Sequence, residues 1–135
     1  MKYRRVVIPL VGAACFAGLL SLPGSAGAAW KFTRPSAPTN VSAVGPMAYE
    51  PITVSWSPPM SDGGSPILSY NVSDSYTGAI GGGCAVSAAV TSCTFRPPPR
   101  PLGQYFDTRY VIRVKAINAI GAGRTAKTTI VLPFG

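Results

Sequence analysis

Val54-Ser55-Trp56-Ser57-Pro58-Pro59-Met60-Ser61-Asp62-Gly63-Gly64-Ser65-Pro66-Ile67-Leu68-Ser69-Tyr70-Asn71-Val72 decides how this chain folds. Ile52, Val54 and Trp56 alternate with Thr53, Ser55 and Ser57, the two-residue period of a strand with one buried face. Pro58 and Pro59 cannot continue a central ladder. Asp62-Gly63-Gly64-Ser65-Pro66 joins glycines free to take positive φ to a proline of fixed φ, so the chain turns there. Alternation resumes with Tyr70 and Val72 on one face and Ser69, Asn71 and Ser73 on the other. A second stretch, Tyr110-Val111-Ile112-Arg113-Val114-Lys115-Ala116-Ile117-Asn118-Ala119-Ile120-Gly121, puts Tyr110, Ile112, Val114 and Ala116 on one face and Arg113 and Lys115 on the opposite one. Trp56, Tyr70 and Tyr110 are therefore the expected core residues, with the Trp56 indole as the central plug.

The remaining strands follow from the same period. Residues 40–44 read as an edge strand ended by Gly45-Pro46, and residues 52–57 and 67–75 flank the turn just described. Gly81-Gly82-Gly83 reads as part of a flexible connection, 84–87 and 90–95 as a disulfide-tied pair, and 110–118 and 125–132 as the last two strands. There is no helical period of useful length and no internal repeat. The expected fold is all-β, a seven-stranded, two-sheet antiparallel sandwich.

The two quoted stretches resemble the fibronectin type III family: the first its strand B, B–C corner and strand C, the second its strand F with the tyrosine that staples the sheet corner. The resemblance implies an immunoglobulin-like sandwich. It implies no particular ligand, because this fold carries many roles and function resides in sites. Family members have a leucine six positions before the corner tyrosine, where this chain has Gln104; a two-residue insertion would let Leu102 take that place.

The amino terminus has its own pattern. Lys2, Arg4 and Arg5 precede an almost wholly apolar stretch, 6–22, and Ala26-Gly27-Ala28 offers the small-x-small sequence of a cleavage site. The expectation is a signal peptide over 1–28, a short mobile lead over 29–37, and one domain over 38–135, secreted or held at the cell surface or wall. An uncleaved anchor, which would tether the domain to a membrane, is the alternative; the shortness of the 17-residue apolar stretch, Pro9 within it and Pro23 just after it weigh against it. Removal of the signal takes Cys15 and leaves Cys84 and Cys93, expected to pair in an oxidising compartment. The closed 10-residue loop corresponds to a stabilisation of about 2.7 kcal/mol. With no histidine and no C-x-x-C spacing, no metal, redox centre or cofactor is expected.

Beyond residue 28, nine lysines and arginines face four carboxylates, a net charge of +5. Such a balance suits anionic partners outside the cytoplasm, an anionic glycan or wall polymer, or a protein surface; solubility is the plainer reading. No nucleic-acid-binding signature accompanies the charge, so nucleic acid is not expected. Glu50, Asp62, Asp74 and Asp107 fall in separate turns and strand ends with no nucleophile or base beside them, and an enzyme is not expected.

Three places are candidates for binding. The leading one is the proline arm: Arg96-Pro97-Pro98-Pro99-Arg100-Pro101 reads as polyproline II, and Arg96, Arg100, Tyr105, Phe106 and Arg109 would combine charge with aromatic faces. Its plainer reading is a cap in which the aromatics close the core. The second is a basic strand face carrying Arg113, Lys115 and Lys127 among serines and threonines, which also reads as an ordinary solvated surface. The third, the 119–124 loop, contains no Arg-Gly-Asp, so integrin recognition by that tripeptide is excluded.

Overall fold

Alternating burial organises seven strands: β1 Thr39–Val44, β2 Ile52–Ser57, β3 Ser69–Tyr76, β4 Ala79–Ser87, β5 Ser92–Phe95, β6 Thr108–Asn118 and β7 Gly121–Leu132. The computed structural model of the protein describes residues 29–76, 79–99, 102–103 and 105–135; the 1–28 segment, Arg100 and Gln104 lie outside them. All strand pairs are antiparallel. One sheet has the order β1-β2-β5 and the other β4-β3-β6-β7.

The inner faces are those the period selects. Ile52, Val54 and Trp56 from β2 meet Tyr70 and Val72 from β3 and Tyr110, Ile112, Val114 and Ala116 from β6. The Trp56 and Tyr70 rings lie 5.3 Å apart, tilted by 58°. Full burial of each large apolar side chain contributes roughly 1.5–3 kcal/mol, which makes this layer the main source of stability.

Four local features go beyond the sequence reading. Cys84 and Cys93 are joined as expected, and the two strands they tie belong to different sheets: Cys84 is on β4, which pairs with β3, and Cys93 is on β5, which pairs with β2. The bridge therefore ties the two sheets together. Gly81-Gly82-Gly83 is part of β4, not a loose connection. Glycine is required there because a Cβ at Gly81 would collide with the Asp74 carboxylate and one at Gly83 with the Val72 carbonyl.

The lead is tied down from Thr33 onward. Thr33 N donates to Gly63 O at 2.8 Å, Ser36 N to Ser61 O at 2.9 Å, and Arg124 N to Pro35 O at 3.2 Å. Finally, the Tyr110 staple crosses the sandwich to the β1–β2 turn, where the Tyr110 hydroxyl accepts the Tyr49 N–H at 2.9 Å. Tyr49 has φ of 67°, a left-handed conformation that this bond and the edge contacts of its ring with Tyr76 and Tyr110 help to hold.

Candidate functional site

The outer face of the four-stranded sheet gathers the positive charge. Pairing between β3, β6 and β7 sets Arg113 between Ser73 and Lys127, and Lys115 between Asn71 and Thr125. Two residues along β6, Val111 lies between Ser75 and Thr129, and Arg109 is opposite Val131. Because the side chains of a strand alternate, Arg109, Arg113, Lys115 and Lys127 share one face. The Arg113 guanidinium is half-buried, and its Nη1 donates to Ser75 Oγ at 2.6 Å, which fixes its position. Asn71, Ser73, Arg113, Lys115, Ile117 and Ala122 line a shallow hollow of about 200 Å³.

Each of the chain's four acids is committed elsewhere. Glu50 forms an ion pair with Arg96 at 3.7 Å. Asp62 accepts the Gly64 N–H at 2.8 Å and so caps the β2–β3 turn. Asp107 accepts the Phe134 N–H at 3.2 Å, and Asp74 is on the inner side of β3, fully buried. The cations on the sheet face thus have no carboxylate among them to neutralise their field.

The proline-arm residues do not form one constellation among the described residues. β6 begins at Thr108, two residues before the expected start, so Arg109 enters the ladder opposite Val131 and joins the sheet face. Arg96 is exposed and paired with Glu50, and Arg100 lies outside the described residues. Tyr105 and Phe106 are 68% and 60% exposed, so neither closes the core; the Tyr105 ring makes an edge contact with Phe134 at 5.7 Å. Leu102 does not replace the family leucine, because it is fully exposed. Pro97 is buried, so the start of the arm packs against the sandwich.

Two polar residues that matter were not singled out from the sequence. Asn118 is 3% exposed: its Nδ2 donates to Thr33 O and Asp62 O, both at 2.7 Å, and its Oδ1 accepts from Ile120 N and Gly121 N at 2.9 and 3.1 Å. It knots together the lead, the β2–β3 turn and the β6–β7 turn. Asp74 has no hydrogen-bond partner for either carboxylate oxygen among the described residues. Burial raises its pKa; the backbone N–H groups of Asp74 and Gly82 lie near enough to offset this in part but fall short of hydrogen-bond geometry. The signal for Asp74 was its parity with Tyr70 and Val72, which places it on the buried face. Among the described residues, no three His, Cys, Asp or Glu side chains come together to hold a metal ion.

The sequence profile of the fibronectin type III domain matches residues 36–131. Among solved structures, domains from titin superpose with a TM-score of 0.57 at 24% identity, over 73% of this chain and 32% of that one. The kinase region of twitchin from C. elegans gives a TM-score of 0.56 at 25% identity, over 75% of this chain and 17% of that one. A redesigned β-sandwich protein gives 0.55 at 20% identity, over 76% of this chain and 93% of that one. The chain spans about a third of the titin chain and a sixth of the twitchin chain.

Proposed function

The chain belongs to the fibronectin type III family, whose domains commonly serve as binding or structural modules, and we propose that this one is an exported, non-catalytic binding module for an anionic glycan or wall polymer. The observation that carries the reading is the face bearing Arg109, Arg113, Lys115 and Lys127 with every carboxylate placed elsewhere. Like charges on one face repel, and a bound polyanion relieves that repulsion. A single exposed charge pair contributes at most about 1 kcal/mol, so useful affinity needs several acting on one polymer. The inter-sheet disulfide supports an oxidising, extracytoplasmic location, in keeping with a signal peptide at 1–28.

The test is binding of wild-type protein to heparin and to a poly(glycerol phosphate), compared with Arg113→Ala/Lys115→Ala and with Arg96→Ala. The double variant is expected to bind about tenfold more weakly, and Arg96→Ala to bind as wild type, because Arg96 is already paired with Glu50. Equal losses per charge removed would indicate diffuse attraction, and no loss would end the reading. A second reading has its own observation: Leu102, Tyr105 and Phe106, all between β5 and β6, are each exposed, which suits a protein partner instead.

A further inference from the structure

The hollow on the sheet face does not end at β7. Ala122, which lines it, also lines a second and larger hollow of about 480 Å³, with Thr33, Arg34, Pro35, Gly123 and Arg124 as its other walls. The second hollow exists because the lead runs beside the start of β7. Pro35 O accepts the Arg124 N–H, and a Cβ at Gly123 would collide with that same carbonyl. The far wall is fixed by Thr33, bonded through its N–H to Gly63 O and through its carbonyl to Asn118. Arg34 lies over the β6–β7 turn, close to Gly121. Two basic hollows therefore adjoin across small, uncharged residues, with Arg113 and Lys115 in one and Arg34 and Arg124 in the other, and no carboxylate lines either.

We propose that the ligand is a linear polyanion several repeat units long, laid across β7 over Ala122 so that one run of its charges meets Arg113 and Lys115 and the next meets Arg34 and Arg124. This inference rests on the anion-binding reading of the sheet face. A small compact anion is the poorer fit, because each hollow offers it only two of the four cations. Exposed cations bind weakly one at a time. Two weak sites on one chain reinforce each other once the chain is long enough to reach both, because the second contact becomes intramolecular. Affinity should therefore rise sharply at a threshold length, not in proportion to charge.

The experiment is a binding series with heparin-derived oligosaccharides, from disaccharide to dodecasaccharide, on the full exported chain. Each variant is first checked by thermal melting for an intact fold. Wild type is expected to gain about 100-fold in affinity between the shortest and longest chains, mostly in one step. Arg34→Ala/Arg124→Ala should leave the disaccharide unaffected and remove most of that 100-fold gain from the longest chains. Ala122→Trp should remove the same step without changing any charge. Arg113→Ala/Lys115→Ala should weaken every length. If only this last variant has an effect and the step survives the others, the two-hollow track is wrong and the sheet-face reading stands. If no variant matters, or Arg96→Ala weakens binding as much per charge, both are wrong.

Discussion

Replacing Asn118 by alanine removes four hydrogen bonds at once and leaves the lead, the β2–β3 turn and the β6–β7 turn without a common anchor. A hydrogen bond contributes about 1 kcal/mol net, so four set a ceiling near 4 kcal/mol; water reaching some of the exposed loop groups lowers the expected loss to about 3 kcal/mol. For a domain of this size that is a fall in Tm of roughly 12–24 °C. Urea denaturation followed by tryptophan fluorescence is suitable, because Trp30 is exposed in the folded chain and the buried Trp56 dominates the change. Asn118→Asp sharpens the test. It keeps the acceptor for the Ile120 and Gly121 amides but turns a carboxylate towards the carbonyls of Thr33 and Asp62, so it should be destabilised at neutral pH and recover partly on acidification. An Asn118→Ala protein that unfolds within about 1 kcal/mol of wild type would refute the argument that this side chain ties three segments together.

Three further outcomes are expected. Asp74 has a folded-state pKa above its ordinary 3.8, so its contribution to stability is complete below that value and is lost as pH rises through the folded value; Asp74→Asn should flatten this acid limb in pH-dependent urea melts, and an unchanged limb would refute the assignment. Tyr110 is pushed up to about 12, mainly by burial, so its contribution is present below 10.0 and lost between there and about 12. Tyr110→Phe should abolish that alkaline loss and cost about 1–2 kcal/mol at neutral pH, where the Tyr49 amide loses its acceptor; a neutral-pH stability equal to wild type would contradict the staple. Reducing the Cys84–Cys93 bridge should lower stability by about 2.7 kcal/mol yet leave the near-ultraviolet circular dichroism of the core intact, and unfolding on reduction alone would show that the bridge, not the core, holds the sheets together.

Much of the sandwich was legible because burial alternates strictly along β2 and β6, and so Trp56, Tyr70 and Tyr110 could be placed inside before any fold was known. The same parity, carried two residues beyond Val72 within the expected 67–75 strand, places Asp74 inside, although it was read only as an acid near a strand end; Arg109 was assigned to the proline arm because the start of β6 was set at Tyr110, where the apolar alternation begins. What the sequence hid was pairing. Nothing in residues 84–95 says that the two cysteine-bearing strands join different sheets, because that depends on which neighbours complete each ladder. The anchoring of the lead was hidden for a different reason, since it rests on backbone groups of Thr33, Pro35 and Ser36 that carry no side-chain signature. The second hollow is made by that anchoring, so it could not be read before the fold.

Amide chemical-shift mapping of the protein titrated with a heparin dodecasaccharide tests the central claim most directly, because it asks where the polymer lies without altering any residue. The account predicts the largest shifts at Asn71, Ser73, Arg113, Lys115 and Lys127, continuing through Ala122 to Arg124 and Arg34. Shifts confined to residues 102–107 and 133–135, with the sheet face unmoved, would contradict it and place recognition at the exposed aromatic end.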